Sequence, residues 1–151
     1  MSRTILRFPS PGRAVLVAAI AGLASSCGES TPTASTPAAP YNQTDIRIGT
    51  EDEAVNGKRI GVHYTGWIYD PRQPEEKGRQ FDSSVGREPY VFVLGAGTVI
   101  RGFDQGVPGM RIGGLRRLVL PPDMAYGNAG VGGAIPPYAT LVFDVELVTV
   151  E

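Results

Sequence analysis

The chain has 151 residues, enough for one domain and a tail, and its 14 basic and 15 acidic side chains give a net charge of −1. Residues 27–151 hold 11 of the basic and all 15 acidic side chains, a net charge of −4, which argues against nucleic acid as a partner because phosphate binding needs a basic face. The single cysteine excludes an internal disulfide and a cysteine-based zinc site, and the single histidine argues against a histidine-containing metal cluster or catalytic pair.

Residues 1–26 have the pattern of an export signal. Three arginines, between Arg3 and Arg13, precede the apolar stretch of residues 14–23 (AVLVAAIAGL). Ten residues that rise about 1.5 Å each cannot cross a hydrocarbon core of roughly 30 Å. The pattern therefore predicts a signal peptide rather than a retained membrane span.

Cys27 follows three small residues, at a point where cleavage would make it the new N-terminus. This resembles a bacterial lipoprotein signal, in which that cysteine is lipidated, although Leu23 lies four residues before it instead of the favoured three. We expect an exported protein in the cell envelope, anchored to the membrane through lipid on Cys27 and facing the periplasm. The alternative is simple cleavage before Cys27, which would release a soluble periplasmic or secreted protein.

Residues 27–43 are expected to be the anchor cysteine and a flexible linker. Residues 30–40 (STPTASTPAAP) contain no aromatic and no charged side chain. Such a segment cannot bury enough apolar surface to offset the entropy of ordering it, and its prolines favour an extended form. The linker could hold a domain at most about 40–50 Å from a membrane.

Residues 44–151 are expected to form one domain made mostly of β-strands. Apolar and polar residues alternate in residues 60–65 and 141–147, which is the strand period of two. Residues 89–94 and 115–120 are further strand candidates, and residues 45–50 are a weaker one.

Only residues 98–106 (TVIRGFDQG) suggest a helix in this domain. Thr98 is a plausible N-cap, and Val99 and Phe103 are four residues apart, so they would share a helix face. A helix this short must pack on the sheet to persist. The pattern predicts an α+β fold in which an antiparallel β-sheet, curled into a half-barrel, wraps around one short α-helix.

Five short motifs, separated by turns, carry most of the aromatic residues of the domain. They are VHYTGW at 62–67, QFDSS at 80–84, PYVFVLGAGTVIRGFDQGVPGM at 89–110, PPDMAYG at 121–127 and IPPYATLVFDVEL at 135–147. In this order they resemble the FKBP-type peptidyl-prolyl cis/trans isomerases, over about residues 44–151. The resemblance implies the same α+β fold, proline-containing polypeptide substrates, binding of macrolide inhibitors, a monomer, and no cofactor.

The chemistry that the resemblance implies needs no nucleophile, base or metal. Resonance in the C–N bond raises the barrier to rotation about an X–Pro bond to ~18–20 kcal/mol. The twisted amide has lost that resonance and much of its charge separation, so an apolar, water-poor pocket favours it over the planar form. Catalysis would then be differential binding without proton transfer.

The resemblance also implies which side chains form the site. It assigns catalytic roles to Asp82, Tyr126 and Phe143, and substrate binding to Tyr64, Phe81, Tyr90, Val99, Ile100, Phe103 and Ile135. Phe103 would form the floor of a proline pocket, and Ile135 would close one side. The Tyr126 hydroxyl and the Ile100 N–H would hold substrate carbonyls, while Asp82 would lie at the rim near Tyr64.

Each of these residues also has an ordinary structural interpretation. Phe103 and Phe143 could be core residues, Tyr64 and Tyr126 could be packed aromatics, and Asp82 could cap a turn. Only their joint occurrence in the family's order favours a pocket. The alternative function is a binding module that holds proline-containing peptides without turnover, or a chaperone-like envelope protein.

The chain departs from the family pattern at the pocket floor and in one connection. Phe103 stands where many members have tryptophan, and we expect this difference to affect tight macrolide binding more than turnover. Residues 68–80 (IYDPRQPEEKGRQ) are expected to form an extended polar loop. His63 could be drawn into a triad with Asp82 and Ser83, but strand alternation puts it on the face opposite Tyr64, and we expect it to be structural.

Overall fold

The computed structural model describes residues 36–151. The predicted signal peptide, the lipidation site at Cys27 and the first part of the linker lie outside the described residues. Within residues 36–151, none of the helices has the length and apolar character needed to span a membrane.

In the described part of the chain, six strands form one antiparallel sheet, and one short α-helix packs against it. The elements are β1 Asn42–Arg47, β2 Arg59–Tyr69, β3 Lys77–Ser83, β4 Tyr90–Val93, α1 Arg101–Gly106, β5 Leu115–Leu120 and β6 Leu141–Val150. The strand order is β1-β5-β6-β2-β3, and β4 pairs with β2 outside this path. The predicted α+β fold with an antiparallel sheet is confirmed.

The long central pair, β2 and β6, builds the core by strand alternation. Leu141, Phe143, Val145 and Leu147 of β6 are all buried and belong to one apolar cluster together with helix residue Phe103. Val142 points to the other face, where it packs with Tyr69, Val119 and Ala39 in a smaller cluster. Both faces of the sheet centre are therefore covered, the second one partly by the segment just before β1.

Glycines bring α1 close to β5. A Cβ atom on Gly102 would overlap the side chain of Leu120, and one on Gly106 would lie 2.7 Å from Leu118 Cδ2. A larger residue at either position would force the leucine side chain or the helix itself to shift. This close approach buries Phe103, which lies between the two glycines in sequence.

The helix is shorter than the sequence predicts. It begins at Arg101 instead of Thr98, its N-cap is Ile100, and no side chain caps it, so the prediction of Thr98 as N-cap was wrong. The turn before the helix is held from within the helix, because the Asp104 carboxylate accepts hydrogen bonds from the N–H groups of Gly95 at 2.9 Å and Gly97 at 2.8 Å.

Two other element boundaries differ from expectation. β1 begins at Asn42 and ends at Arg47, whereas the sequence suggested a strand over residues 45–50. The predicted loop over residues 68–80 is wrong, because β2 continues to Tyr69 and β3 begins at Lys77. β3 pairs with β2 only, and its largely polar residues show no apolar alternation from which a strand could be predicted.

Arg116 connects the end of the helix to two strands. From β5, its guanidinium donates to the carbonyl oxygens of Gly106 at 2.8 Å and Pro108 at 3.1 Å. It also contacts both carboxylate oxygens of Asp45 on β1, at 2.5 and 3.1 Å. The side chain is buried, so these hydrogen bonds satisfy groups that water reaches poorly.

We expect Arg116→Ala to destabilise the domain by about 2–4 kcal/mol, because it leaves two carbonyl oxygens at the helix end without their donor. Urea unfolding followed by circular dichroism would measure the change. Arg59→Ala is the matched control, since Arg59 and Glu151 form an ion pair with both side chains mostly exposed, and its loss should cost less than about 1 kcal/mol. Equal effects of the two substitutions would contradict the role given to Arg116.

Candidate active site

A cavity of about 440 Å³ opens between the sheet and the helix. Its lining consists of Tyr64, Phe81, Asp82, Tyr90, Gly97, Thr98, Val99, Ile100, Phe103, Tyr126 and Phe143. The structure thus brings together nine of the ten side chains that the sequence suggested for the site. These residues come from four strands, the helix and two connections, and only folding makes them neighbours.

Aromatic rings meet edge to face in the depth of the cavity. The centroids of Phe103 and Phe143 are 5.0 Å apart with an interplanar angle of 79°. Tyr64 lies 5.9 Å from Phe103, and Phe81 lies 5.5 Å from Phe143, both in the same T-shaped manner. In this geometry the electropositive edge of one ring meets the electronegative face of another. Phe103 and Phe143 are buried core residues that also line the cavity, so the two interpretations of their sequence pattern both hold.

A glycine in β2 leaves room for the cavity walls. Gly66 lies opposite Phe143 in the β2–β6 ladder. A Cβ atom at this position would lie 2.5 Å from Phe81 Cζ and 2.8 Å from Phe143 Cε1. Only glycine therefore lets both rings stand where they contact each other.

Tyr64 and Asp82 form a fixed hydrogen-bonded pair at the rim. The Tyr64 hydroxyl donates to Asp82 Oδ2 at 2.6 Å, while Oδ1 accepts from the Ser83 N–H at 2.8 Å and from Arg87 at 3.0 Å. The hydrogen bond from Tyr64 outweighs burial and, with the help of Ser83 and Arg87, holds the pKa of Asp82 below its usual range. Burial, followed by Asp82, raises the pKa of Tyr64 well above its usual range. At neutral pH Asp82 is ionised and Tyr64 is protonated.

Two further donors face the cavity without an acceptor in the described part of the chain. Tyr126 is 38% exposed, and burial, followed by the charge of Asp82, raises the pKa of its hydroxyl, which stays protonated at neutral pH. The Ile100 carbonyl accepts from the Phe103 N–H at 2.9 Å, whereas the Ile100 N–H meets no acceptor within residues 36–151. The cavity thus offers one hydroxyl and one backbone N–H to a ligand.

Ile135 is the one predicted site residue that the structure places elsewhere. It is buried in the apolar core, does not line the cavity, and exchanges two 2.9 Å backbone hydrogen bonds with Val131 in the loop after Tyr126. The side chain of Ile135 thus belongs to the buried core in this structure, and its contact with a substrate stays a prediction.

Three residues near the cavity were missed by the sequence analysis. Gly97 and Thr98 line it, and their position directly before Val99 was the available signal. Arg87 contacts Asp82 from beyond the QFDSS motif, and no pattern pointed to it.

His63 stays outside the cavity, with Nδ1 at 3.4 Å from Ser84 Oγ. Residues 36–151 contain no group of three or more His, Cys, Asp or Glu side chains that could hold a metal ion.

We expect Tyr64→Phe to raise the pKa of Asp82, because it removes the largest cause that lowers it. Because folding lowers the pKa of Asp82, its carboxylate stabilises the fold at pH values above the pKa of an ordinary aspartate. This stabilisation is lost as the pH falls through the lowered pKa. An NMR titration of the Asp82 carboxyl carbon would measure the shift. Tyr69→Phe, which removes a hydroxyl 3.4 Å from Glu76, should leave Asp82 unchanged. If the pKa of Asp82 is the same in Tyr64→Phe as in the wild type, the hydrogen bond from Tyr64 is not the main cause of the lowered pKa.

This chain is similar in sequence and in fold to known proteins. The family model described as FKBP-type peptidyl-prolyl cis-trans isomerase matches residues 50–148. A protein named FK506-binding protein from Neisseria meningitidis serogroup A is 50% identical over 107 residues, which cover 70% of this chain and 92% of the relative. The peptidyl-prolyl cis-trans isomerase FPR2 of Saccharomyces cerevisiae is 50% identical over 109 residues, covering 70% of this chain and 76% of the relative.

Two crystal structures are similar to this chain in sequence and in fold. AtFKBP13 is 38% identical with a TM-score of 0.61, and the match covers 72% of this chain and 91% of that one. A peptidyl-prolyl cis-trans isomerase from Pseudomonas syringae pv. tomato is 34% identical with a TM-score of 0.61, covering 74% of this chain and 75% of that one. The region matched by the family model contains every residue that lines the cavity.

Proposed function

The chain belongs to the FKBP-type family of peptidyl-prolyl cis-trans isomerases, and we propose that it performs this reaction on proline-containing segments of exported polypeptides. The observation that carries the mechanism is the composition of the cavity. Aromatic rings form its depth, and two of its lining residues carry donors that have no acceptor within residues 36–151, the Tyr126 hydroxyl and the Ile100 N–H.

The proline ring enters the cavity and packs on Phe103 and Phe143. These side chains exclude water from the X–Pro bond, and a twisted amide loses less solvation there than a planar one, because its charge separation is smaller. The Ile100 N–H and the Tyr126 hydroxyl hold carbonyl oxygens of the substrate and fix its path across the cavity. No proton is transferred in this step.

Asp82 acts through its charge and its partners. It is ionised, accepts from Tyr64, and is held by Arg87 on the side away from that tyrosine. Its carboxylate fixes the Tyr64 ring as a wall of the cavity and adds negative charge beside the rotating amide. A group that keeps one protonation state through neutral pH suits a reaction without acid–base steps.

Macrolides of the FK506 type occupy the same cavity in this proposal and compete with the substrate. The depth at Phe103 is apolar, as a proline-like ring requires, and the relatives named FK506-binding protein carry this ligand in their name. Phe103, unlike a tryptophan, offers no N–H to an inhibitor. We therefore expect the residue at this position to affect macrolide affinity more than turnover.

We expect Tyr126→Phe in the full chain to lower kcat/KM for a Leu-Pro or Phe-Pro tetrapeptide about threefold to tenfold, the weight of one hydrogen bond to a substrate carbonyl. A protease-coupled assay or NMR exchange spectroscopy would measure it, with FK506 as competitor to show that the cavity is responsible. The matched control is Tyr138→Phe, which removes the hydroxyl of an exposed tyrosine outside the cavity lining.

Two outcomes decide this assignment. Unchanged activity in a folded Asp82→Asn, Tyr126→Phe double variant would overturn the site. A chain that binds proline-containing peptides without accelerating their isomerisation would favour the binding module instead.

The export pattern at the N-terminus supports the cell envelope as the location. Exported proteins cross the membrane unfolded, and the slow isomerisation of their X–Pro bonds can limit refolding. A lipid on Cys27 and the linker that follows would keep the domain near the membrane while the cavity stays free in the periplasm.

We expect the full chain, produced in a bacterium, to appear in the membrane fraction with a lipid-modified N-terminal cysteine. Cys27→Ala should move it out of that fraction, because the predicted lipid has no other attachment point in a chain with one cysteine. Mass spectrometry of the N-terminal peptide and cell fractionation would measure both. A mature wild-type protein that begins at an unmodified Cys27 would establish simple cleavage instead.

A further inference from the structure

Within the described residues 36–151, three strands of the sheet have a hydrogen-bonded neighbour on one side only. These are β1, which pairs with β5, and β3 and β4, which both pair with β2. β1 (NQTDIR) and β3 (KGRQFDS) carry charged side chains, which discourage further pairing at an edge. β4 (YVFV) carries none, so it is the edge without this protection.

The backbone of β4 points hydrogen-bonding groups away from the sheet. The Leu94 N–H, directly after the strand, donates to the Lys58 carbonyl on the β2 side at 2.9 Å. In an antiparallel strand, alternate residues direct their backbone N–H and C=O groups to the same neighbour. The backbone groups of Phe92 and Tyr90 therefore bond to β2, and those of Val91 and Val93 point away from the sheet. Within residues 36–151, the only bond to these outward groups is a long one of 3.4 Å, from the Ala96 N–H to the Val93 carbonyl.

The outer side of β4 is apolar and adjoins the catalytic cavity. Tyr90, Val91 and Val93 are 43%, 43% and 40% exposed. A second cavity of about 440 Å³ runs beside the strand, lined by Tyr64, Ser84, Arg87, Glu88, Pro89, Tyr90 and Val91. Tyr64 and Tyr90 line both cavities, so one surface leads from the proline pocket to the strand edge.

We propose that this edge binds an extended segment of the substrate polypeptide, which adds to β4 as a further strand while a proline of the same chain occupies the catalytic cavity. The inference rests on the isomerase function proposed above and adds a second contact for long substrates. Main-chain hydrogen bonds to Val91 and Val93 do not depend on the sequence of the bound segment. An enzyme that meets many different unfolded chains gains from such a contact, because it keeps their X–Pro bonds at high local concentration near the cavity.

Val91→Pro in the full chain tests the proposal, because it removes the outward N–H and leaves the bonds to β2 in place. Two substrates are compared: an X–Pro tetrapeptide, which fills the catalytic cavity and leaves no chain for β4, and an unfolded protein whose refolding is limited by X–Pro isomerisation. We expect the acceleration of refolding to fall about threefold to tenfold, while kcat/KM for the tetrapeptide stays within about twofold of wild type.

Two further variants keep the test decisive. Val93→Lys adds a charge to the edge without touching the backbone, and should show the same separation of the two substrates even if Val91→Pro fails to fold. Ile48→Lys places the same charge on an exposed apolar residue outside β4, and should leave both activities unchanged.

The outcomes separate this proposal from the isomerase function. Refolding that is accelerated as well by Val93→Lys as by wild type would overturn the edge contact, and so would an equal loss on both substrates, since a contact for long chains must distinguish them. A wild-type protein without activity on the tetrapeptide would refute the isomerase function itself.

Discussion

The contact between Phe103 and Phe143 is the constraint on which the rest of the structure depends. The two rings meet edge to face with centroids 5.0 Å apart, one from the helix and one from the central strand β6. They are part of the buried core and line the depth of the cavity at the same time. The protein cannot loosen its active site without loosening its core, so the cavity keeps its shape before any substrate arrives.

Polar groups around this apolar centre are fixed by hydrogen bonds within the fold. Asp104 holds the turn that leads to Ile100, Arg116 holds the helix end, and Asp82 holds Tyr64. Each of these groups uses its hydrogen-bonding capacity on the protein. The Tyr126 hydroxyl and the Ile100 N–H have no acceptor within residues 36–151 and can bind a ligand. This division suits a reaction whose barrier falls by binding and desolvation, without proton transfer.

Local patterns predicted the strands that are rich in apolar residues and failed at the polar strand β3. Residues 115–120 were predicted with the bounds that the structure has, because buried apolar side chains recur there. β3 was missed because its largely polar residues show no apolar alternation, and such a sequence resembles a loop. The N-cap of the helix is Ile100, two residues after the predicted Thr98; no side chain caps the helix, and Asp104 holds the turn before it. Ile135 was predicted for the pocket from its motif, and the structure shows its side chain buried in the core.

The sequence by itself determined the class of fold, the family, and which aromatic side chains are candidates for the site, because strand alternation and motif order can be read along the chain. The tertiary structure alone decided which of these side chains share a cavity, that Arg87 completes the environment of Asp82, and that β4 has a free apolar edge. These properties depend on distances between residues far apart in sequence, and such distances exist only once the sheet has closed over the helix.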